Sequence, residues 1–210
     1  MKKTFIKSLC GLILIAAFSF ALSGCQKQQH EDLNLTRDQT EANAILLSSG
    51  AVSSCGTIPD TIKVPAGNKL VLQAYAAGVQ IYQVKRSIVD TNVYSWVNIA
   101  PSATLYAKPD YTNQIALHYA GPTWEFTRSL YKDEKVVGKK EKGVTVDPTA
   151  IQWLLLKAVD SLSSPGNKVS YIQRICTTGG LPPATPANAE NVGKLDSISY
   201  TATYLFYTKN

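Results

Sequence analysis

Apolar and polar residues alternate with a period of two through most of the chain beyond residue 60, a pattern that predicts strands. Gln114 to Phe126 consists of two such runs meeting at Gly121-Pro122. A turn centred on that pair sets Tyr119 opposite Trp124, His118 opposite Glu125 and Leu117 opposite Phe126 in an antiparallel hairpin. Ile115, Leu117, Tyr119, Trp124 and Phe126 then share a core face. Ala116, His118, Ala120, Thr123 and Glu125 share the other, with His118 touching Glu125. Gly-Pro is not a common two-residue hairpin turn, so a wider loop in the same register stays open.

Lys69 to Arg86 breaks at Ala77-Gly78 and predicts a second hairpin. One of its faces holds Leu70, Leu72, Ala74, Ala76, Val79 and Ile81. The other brings Gln73 to Tyr82 and Tyr75 to Gln80, an amphipathic platform whose plainest role is the solvated side of a half-buried sheet. Trp96 to Pro101 and Ala103 to Tyr106 read as short strands split by Pro101. Ser129 to Gly143 reads as a charged ribbon, its lysines discouraging edge pairing. Lys168 to Cys176 and Ile198 to Tyr207 are strands, and Thr177 to Lys194, rich in Gly and Pro, is a long irregular excursion.

Asp147 to Val159 admits two readings. Asp147 as N-cap, Pro148 at the first helical position and apolar residues at Ile151, Leu154, Leu155, Ala158 and Val159 favour a helix. Trp153 to Leu156 equally fits a strand buried on both faces. The whole pattern predicts one all-β domain over residues 51–210. It is a sandwich or small barrel of roughly nine to twelve mostly antiparallel strands, with at most one or two short helices.

Ahead of that domain stand Lys2, Lys3 and Lys7, an apolar run from Leu9 to Leu22, and Leu22-Ser23-Gly24-Cys25. The apolar run is about half the roughly 20 residues a membrane-crossing helix needs, so it reads as an export signal. The four residues ending in Cys25 resemble the bacterial lipoprotein box, in which the Cys becomes the lipidated first residue of the mature chain. Residues 1–24 are then a signal peptide and 25–50 a flexible tether. Gln26 and Lys27 with Glu31 and Asp32 resemble the leader that sends some lipoproteins to the outer face of the outer membrane. The expected location is the cell envelope, lipid-anchored, at the outer membrane. Loss of the three signal lysines lowers the formal net charge of +6 by three. Nucleic-acid partners are therefore not expected, and the membrane is met through the lipid.

Of the four Cys, Cys10 leaves with the signal and Cys25 carries the lipid. In an oxidising compartment the remaining Cys55 and Cys176 predict a disulfide. Neither lies at metal-ligand spacing from another Cys or a His, so no metal and no cofactor is predicted.

The composition excludes familiar catalytic signatures. No Gly-x-Ser-x-Gly, His-Glu-x-x-His or phosphate-loop motif is present, and beyond the signal only His30 and His118 remain. A hydrolase would have to use His118 with Glu125 orienting it, and no serine is marked as their partner. A cross-strand polar pair is the simpler role for these two residues. Trp96, Trp124 and Trp153 read as core. The candidate ligand-binding residues are Gln73, Tyr75, Gln80, Tyr82, His118 and Glu125, with the Gly179-Gly180-Leu181-Pro182-Pro183 loop as a pocket wall. Tyr rings and amides suit a glycan, a peptide or another small envelope ligand. A structural or assembly lipoprotein without a ligand is the alternative.

Several segments together resemble a family of secreted bacterial and fungal proteins, the domain-of-unknown-function family numbered 3455. They are Val64 to Gly67, Gly78 to Tyr82, His118 to Glu125, Trp153 to Ala158, Tyr171 to Arg174 and Thr178 to Pro182. In that family a Pro commonly stands at the position of Gln152, which favours one helical turn at Asp147 to Ala150 followed by a strand. Family members also often carry a Cys where Val84 stands and another beyond the Gly-Gly loop. Both are missing here, which leaves Cys55–Cys176 as a local substitute. The resemblance implies no activity.

The anchor is testable directly. A Cys25→Ser chain should leave the membrane fraction, and retention through high-salt, detergent-free washes would contradict lipidation.

Overall fold

The computed structural model describes residues 55–127, 135–161 and 169–210; the signal, the lipidation site and the tether lie outside them. Eight strands are described: β1 (Asn68–Arg86), β2 (Tyr94–Tyr106), β3 (Gln114–Tyr119), β4 (Thr123–Phe126), β5 (Lys135–Val144), β6 (Trp153–Ser161), β7 (Val169–Gly179) and β8 (Leu195–Lys209). Each pairs antiparallel with the next, and β8 returns to pair with β1, closing a barrel. Helix is confined, among the described residues, to 3-10 turns at Asp60–Ile62 and Ala189–Asn191. The all-β expectation holds in its small-barrel form, with eight strands rather than nine or more.

The strand count falls because two predicted breaks are not breaks. Ala77-Gly78 lies inside β1, a single strand of 19 residues. Gly78 is there for close approach: a Cβ would stand 2.2 Å from the Ser102 carbonyl oxygen and 2.5 Å from Ala103 Cα. β1 and β2 can cross this tightly only without a side chain. Pro101 sits within β2, opposite Gln80, and the register slips nearby, where Ile81 faces Ala100 but Tyr82 faces Asn98. Ile99 is the extra residue of that bulge, which turns Asn98 inward.

Continuity of β1 reverses the predicted sorting of its side chains. Ala74, Ala76, Gln80, Tyr82 and Val84 are the buried positions, and all point into the barrel. Gln73 and Tyr75 have the opposite parity, lie on the outer face and bond each other at 2.7 Å. The predicted contacts of Gln73 with Tyr82 and of Tyr75 with Gln80 therefore do not form.

The interior is filled by large residues facing small ones. Ala74, Ala76, Gly78 and Ala103 line the β1–β2 wall, leaving room for Trp124, Phe126, Tyr204 and Phe206 from β4 and β8. Phe126 and Phe206 meet edge to face at 5.4 Å, and Trp124 meets Phe206 at 5.9 Å. Trp124 also needs a glycine across from it, since a Cβ on Gly138 would reach its ring at 3.0 Å.

A second apolar cluster lies outside the barrel. Ile62 packs with Trp153, Leu155, Ile175 and Leu205. The segment before β1 is held on this face by the Cys55–Cys176 disulfide and by Gln173, whose Nε2 donates to the Ile62 carbonyl at 2.7 Å. Tyr207 in turn donates to Gln173 Oε1 at 2.6 Å. Trp153 to Leu156 are consequently buried on both sides, Leu154 and Leu156 inside and Trp153 and Leu155 under this segment. The strand reading is the one observed, preceded by a turn in which Thr149 N donates to Asp147 Oδ1 at 2.7 Å. The predicted disulfide forms. It closes a sequence separation of 121 residues, for which chain entropy alone allows about 4–5 kcal/mol.

Residues 129–134 of the charged ribbon lie outside the described residues; from Lys135 on it is a paired strand, not an edge. β5 bonds β4 through Lys135 to Val137 and β6 along its length. Its exposed Lys139, Lys140 and Lys142 fall where it runs past the four residues of β4.

Gly78→Val places a branched side chain against the β2 backbone, which has no rotamer to yield. A loss of about 1–3 kcal/mol is expected, read as a lower urea midpoint at unchanged m-value. A midpoint matching the parent would show that the close approach carries no constraint.

Candidate functional site

The β3–β4 hairpin differs from prediction by one residue. Tyr119 pairs with Thr123, His118 with Trp124, Leu117 with Glu125 and Ala116 with Phe126. Ala120, Gly121 and Pro122 together make the loop. Pro122 has no N–H to give a ladder; its carbonyl instead accepts from Gly138 N at 3.0 Å, and Ala120 O accepts from Thr123 Oγ1 at 3.1 Å. A slip of one residue exchanges the faces of a strand relative to its partner. Ala116 and His118 thus join Trp124 and Phe126 inside, while Leu117, Tyr119 and Glu125 face outward. The predicted His118–Glu125 contact is absent. Glu125 accepts from the Tyr119 hydroxyl at 2.7 Å and pairs with Lys135 at 3.3 Å, and both contacts hold its carboxyl below the usual range.

His118 is buried, with 3% of its surface exposed. Its ring stacks on Trp124 at 4.5 Å with an 8° tilt and meets Tyr204 edge-on at 5.2 Å. Nδ1 lies 2.8 Å from the Thr123 carbonyl. A carbonyl only accepts, so Nδ1 carries the proton and Nε2 the lone pair. Burial, opposed by the Thr123 bond and reinforced by the Arg174 charge, brings its pKa down to about 4. The imidazole is neutral at neutral pH.

Around this ring the barrel opens into a cavity of about 460 Å³. The opposite part of the interior is filled by Phe126, Phe206, Ile172 and Val136. Tyr204 and Trp124 form the aromatic wall, Leu154 and Leu156 the aliphatic one, and Leu181 stands at the rim. The volume falls in the range of small-ligand sites. Tyr82 donates to the Gly180 carbonyl at 2.6 Å, tying the loop after β7 to the barrel, and burial raises its pKa.

The polar groups here are unevenly satisfied. Gln80 Oε1 accepts from Asn98 at 2.9 Å, but Gln80 Nε2 has no partner. Trp124 Nε1 is likewise buried without a partner, whereas the Tyr200 hydroxyl lies beside Gln80 and Tyr204, and the Tyr204 hydroxyl beside Arg174, without completing a well-aligned bond. Each such group costs about 1–3 kcal/mol. Arg174 Nε and Nη2 both donate to the Gln152 carbonyl, at 3.1 and 2.9 Å, and Lys140 Nζ donates to Gln152 Oε1 at 3.0 Å. No Asp or Glu, and no Ser, Thr or Cys, lines the cavity among the described residues, and no three His, Cys, Asp or Glu cluster for a metal.

Of the six candidates, Gln80, Tyr82 and His118 are brought together here. Gln73, Tyr75 and Glu125 lie on the outer face. Of the Gly-Gly-Leu loop, Leu181 lines the cavity, and the Gly180 carbonyl holds the Tyr82 hydroxyl. Trp124, Arg174, Tyr204 and Lys140 were not picked out by sequence reasoning. Arg174 carried a signal: it has the parity of Ile172, a core position, and a cation on a core face calls for a reason.

The His118 shift fixes the sign of one pH effect. Its folded pKa lies below that of an unfolded His, so its contribution is complete above pH 6.5 and is lost as pH falls toward 4. The loss is on the order of 3 kcal/mol. Urea unfolding at pH 7 and pH 4.5 should show a smaller difference for His118→Asn than for the parent. Equal differences would place a protonated imidazole in the fold.

No curated protein shows sequence similarity to the chain. Among solved structures, a pterocarpan synthase dirigent protein is similar, at 12% identity and a TM-score of 0.37, over 70% of this chain and 90% of that one. The model of a family described as protein of unknown function, DUF3455, matches residues 65–208. That span runs from the turn before β1 to the next-to-last residue of β8 and includes every strand lining the cavity, so the chain belongs to the DUF3455 family.

Proposed function

We propose that the barrel is a binding module for a small ligand, seated in the cavity beside His118 and presented at the cell envelope by a lipid on Cys25. The observation that carries the reading is the coincidence of the cavity with unpaired buried donors. Gln80 Nε2, Trp124 Nε1 and the Tyr204 hydroxyl belong to lining residues; Trp124 Nε1 has no partner, and the other two make no well-aligned bond. Burying polar groups unsatisfied destabilises a fold, and a ligand that completes them returns that free energy as affinity. The rigid aromatic wall limits the ordering cost of binding. The anchor rests on Leu22-Ser23-Gly24-Cys25.

Chemistry at His118 has less support. Its partner is a backbone carbonyl rather than Glu125, and no Ser, Thr or Cys lines the cavity among the described residues. A purely structural role would leave the polar wall and the cavity without a use.

The test is a thermal-shift screen of the mature chain in its Cys25→Ser form against glycans, short peptides and small ring compounds. A ligand at about 100 times its Kd stabilises by about 2.7 kcal/mol, a rise of several degrees. Leu181→Trp, which crowds the rim, should abolish that rise, and Tyr75→Ala on the outer face should keep it. A screen without a hit, or a hit indifferent to Leu181→Trp, would remove the cavity as the site. Turnover abolished by His118→Ala would replace binding with catalysis.

A further inference from the structure

The class of ligand can be read from which hydrogen-bonding groups at the cavity are already spent. The acceptors are mostly engaged. Gln80 Oε1 takes the Asn98 amide, Gln152 Oε1 takes Lys140, the Gln152 carbonyl takes two Arg174 donors, and the Gly180 carbonyl takes the Tyr82 hydroxyl. The acceptors left on the wall are His118 Nε2, Asn98 Oδ1 and the phenol oxygens of Tyr82 and Tyr204. The donors are mostly unspent: Trp124 Nε1, Gln80 Nε2 and the Tyr204 hydroxyl. A ligand that brings acceptors matches.

Charge points the same way. Arg174 and Lys140 line the cavity, and both give their hydrogen bonds to the neutral Gln152. The ion pairs among the described residues are Asp60–Lys63 and Glu125–Lys135, on the outside. The positive field at the cavity is therefore uncompensated, and it acts on His118, Tyr82, Tyr200 and Tyr204. Arg174 is also held in place, since its two bonds to one carbonyl fix the guanidinium plane before any ligand arrives.

We propose that the cavity takes a small ring-bearing organic anion, its acid group neutralised by Arg174 and its ring lodged between the Trp124–Tyr204 wall and Leu154, Leu156 and Leu181. This rests on the binding reading above and narrows it. The acid group brings the acceptors that the unpaired donors lack, and charge-assisted hydrogen bonds to an ion are about twice as strong as neutral ones. The flat ring matches the stacked and edge-on surfaces of the wall.

Two fluorescent probes separate the anion from the ring. 1-Anilinonaphthalene-8-sulfonate and N-phenyl-1-naphthylamine share an arylamine body, and only the first carries a negative charge. On the mature chain in its Cys25→Ser form, the sulfonate should bind with one-to-one stoichiometry and at least about tenfold more tightly. Arg174→Met should remove most of that preference and leave the neutral probe within about twofold, which also reports that the variant is folded. Arg174→Lys should keep much of the preference. Equal affinity for the two probes in the parent, or a preference untouched by Arg174→Met, overturns the anion and leaves the binding module standing. Failure of both probes to bind, or binding of both unaffected by Leu181→Trp at the rim, sinks the cavity reading itself.

Discussion

The ladder between β1 and β8 is the constraint on which the rest depends. It joins the first long strand to the last, from Asn68 opposite Lys209 to Gln83 opposite Leu195, and turns an open sheet into a barrel. Closure satisfies the backbone groups that an edge would leave bare. It also creates an inside, and the inner parity of each strand becomes a choice between filler and functional wall. The segment carrying Cys55 is then bonded to β7 next to this seam, which ties the segment before β1 to the closing strands.

Filling that inside is a matter of volume. β1 and β2 contribute Ala74, Ala76, Gly78 and Ala103, so the large side chains of β4 and β8 can cross the axis. Around Phe126 and Phe206 the filling is complete. Toward the β3–β4 loop it stops, and the layer of Trp124, Tyr204 and His118 faces space instead of another layer. The polar atoms left unpaired there oppose stability, which is the usual relation between a binding surface and the fold that holds it.

One residue of register decides what that layer contains. With a two-residue turn His118 would lie across from Glu125, an ordinary surface pair. The three-residue loop places it across from Trp124 instead, and the same imidazole becomes a buried, neutral, stacked group. Glu125 is left outside with Tyr119 and Lys135. The pocket owes its lack of negative charge partly to that shift.

Trp153 to Leu156 stayed open between helix and strand on periodicity alone, but alternation was legible elsewhere in the chain, and with it the all-β class, the other strands from β3 to β8 in outline and the Cys55–Cys176 bond. These follow from local periodicity and from counting thiols, which need no knowledge of partners. The continuity of β1 was not legible, because Gly78 signals a break locally and its real reason is the backbone of β2 crossing at contact distance. The hairpin register was not legible either, since a Gly-Pro loop of two or three residues reads alike until Pro122 O finds Gly138 N on a third strand. The cavity was legible only in fragments. Gln80, Tyr82 and His118 stood out as polar residues in patterned strands, but parity on one hairpin cannot say which face will be enclosed. That was decided when β8 met β1 and brought Arg174 and Tyr204, each more than 50 residues from His118 in the chain, to the same wall.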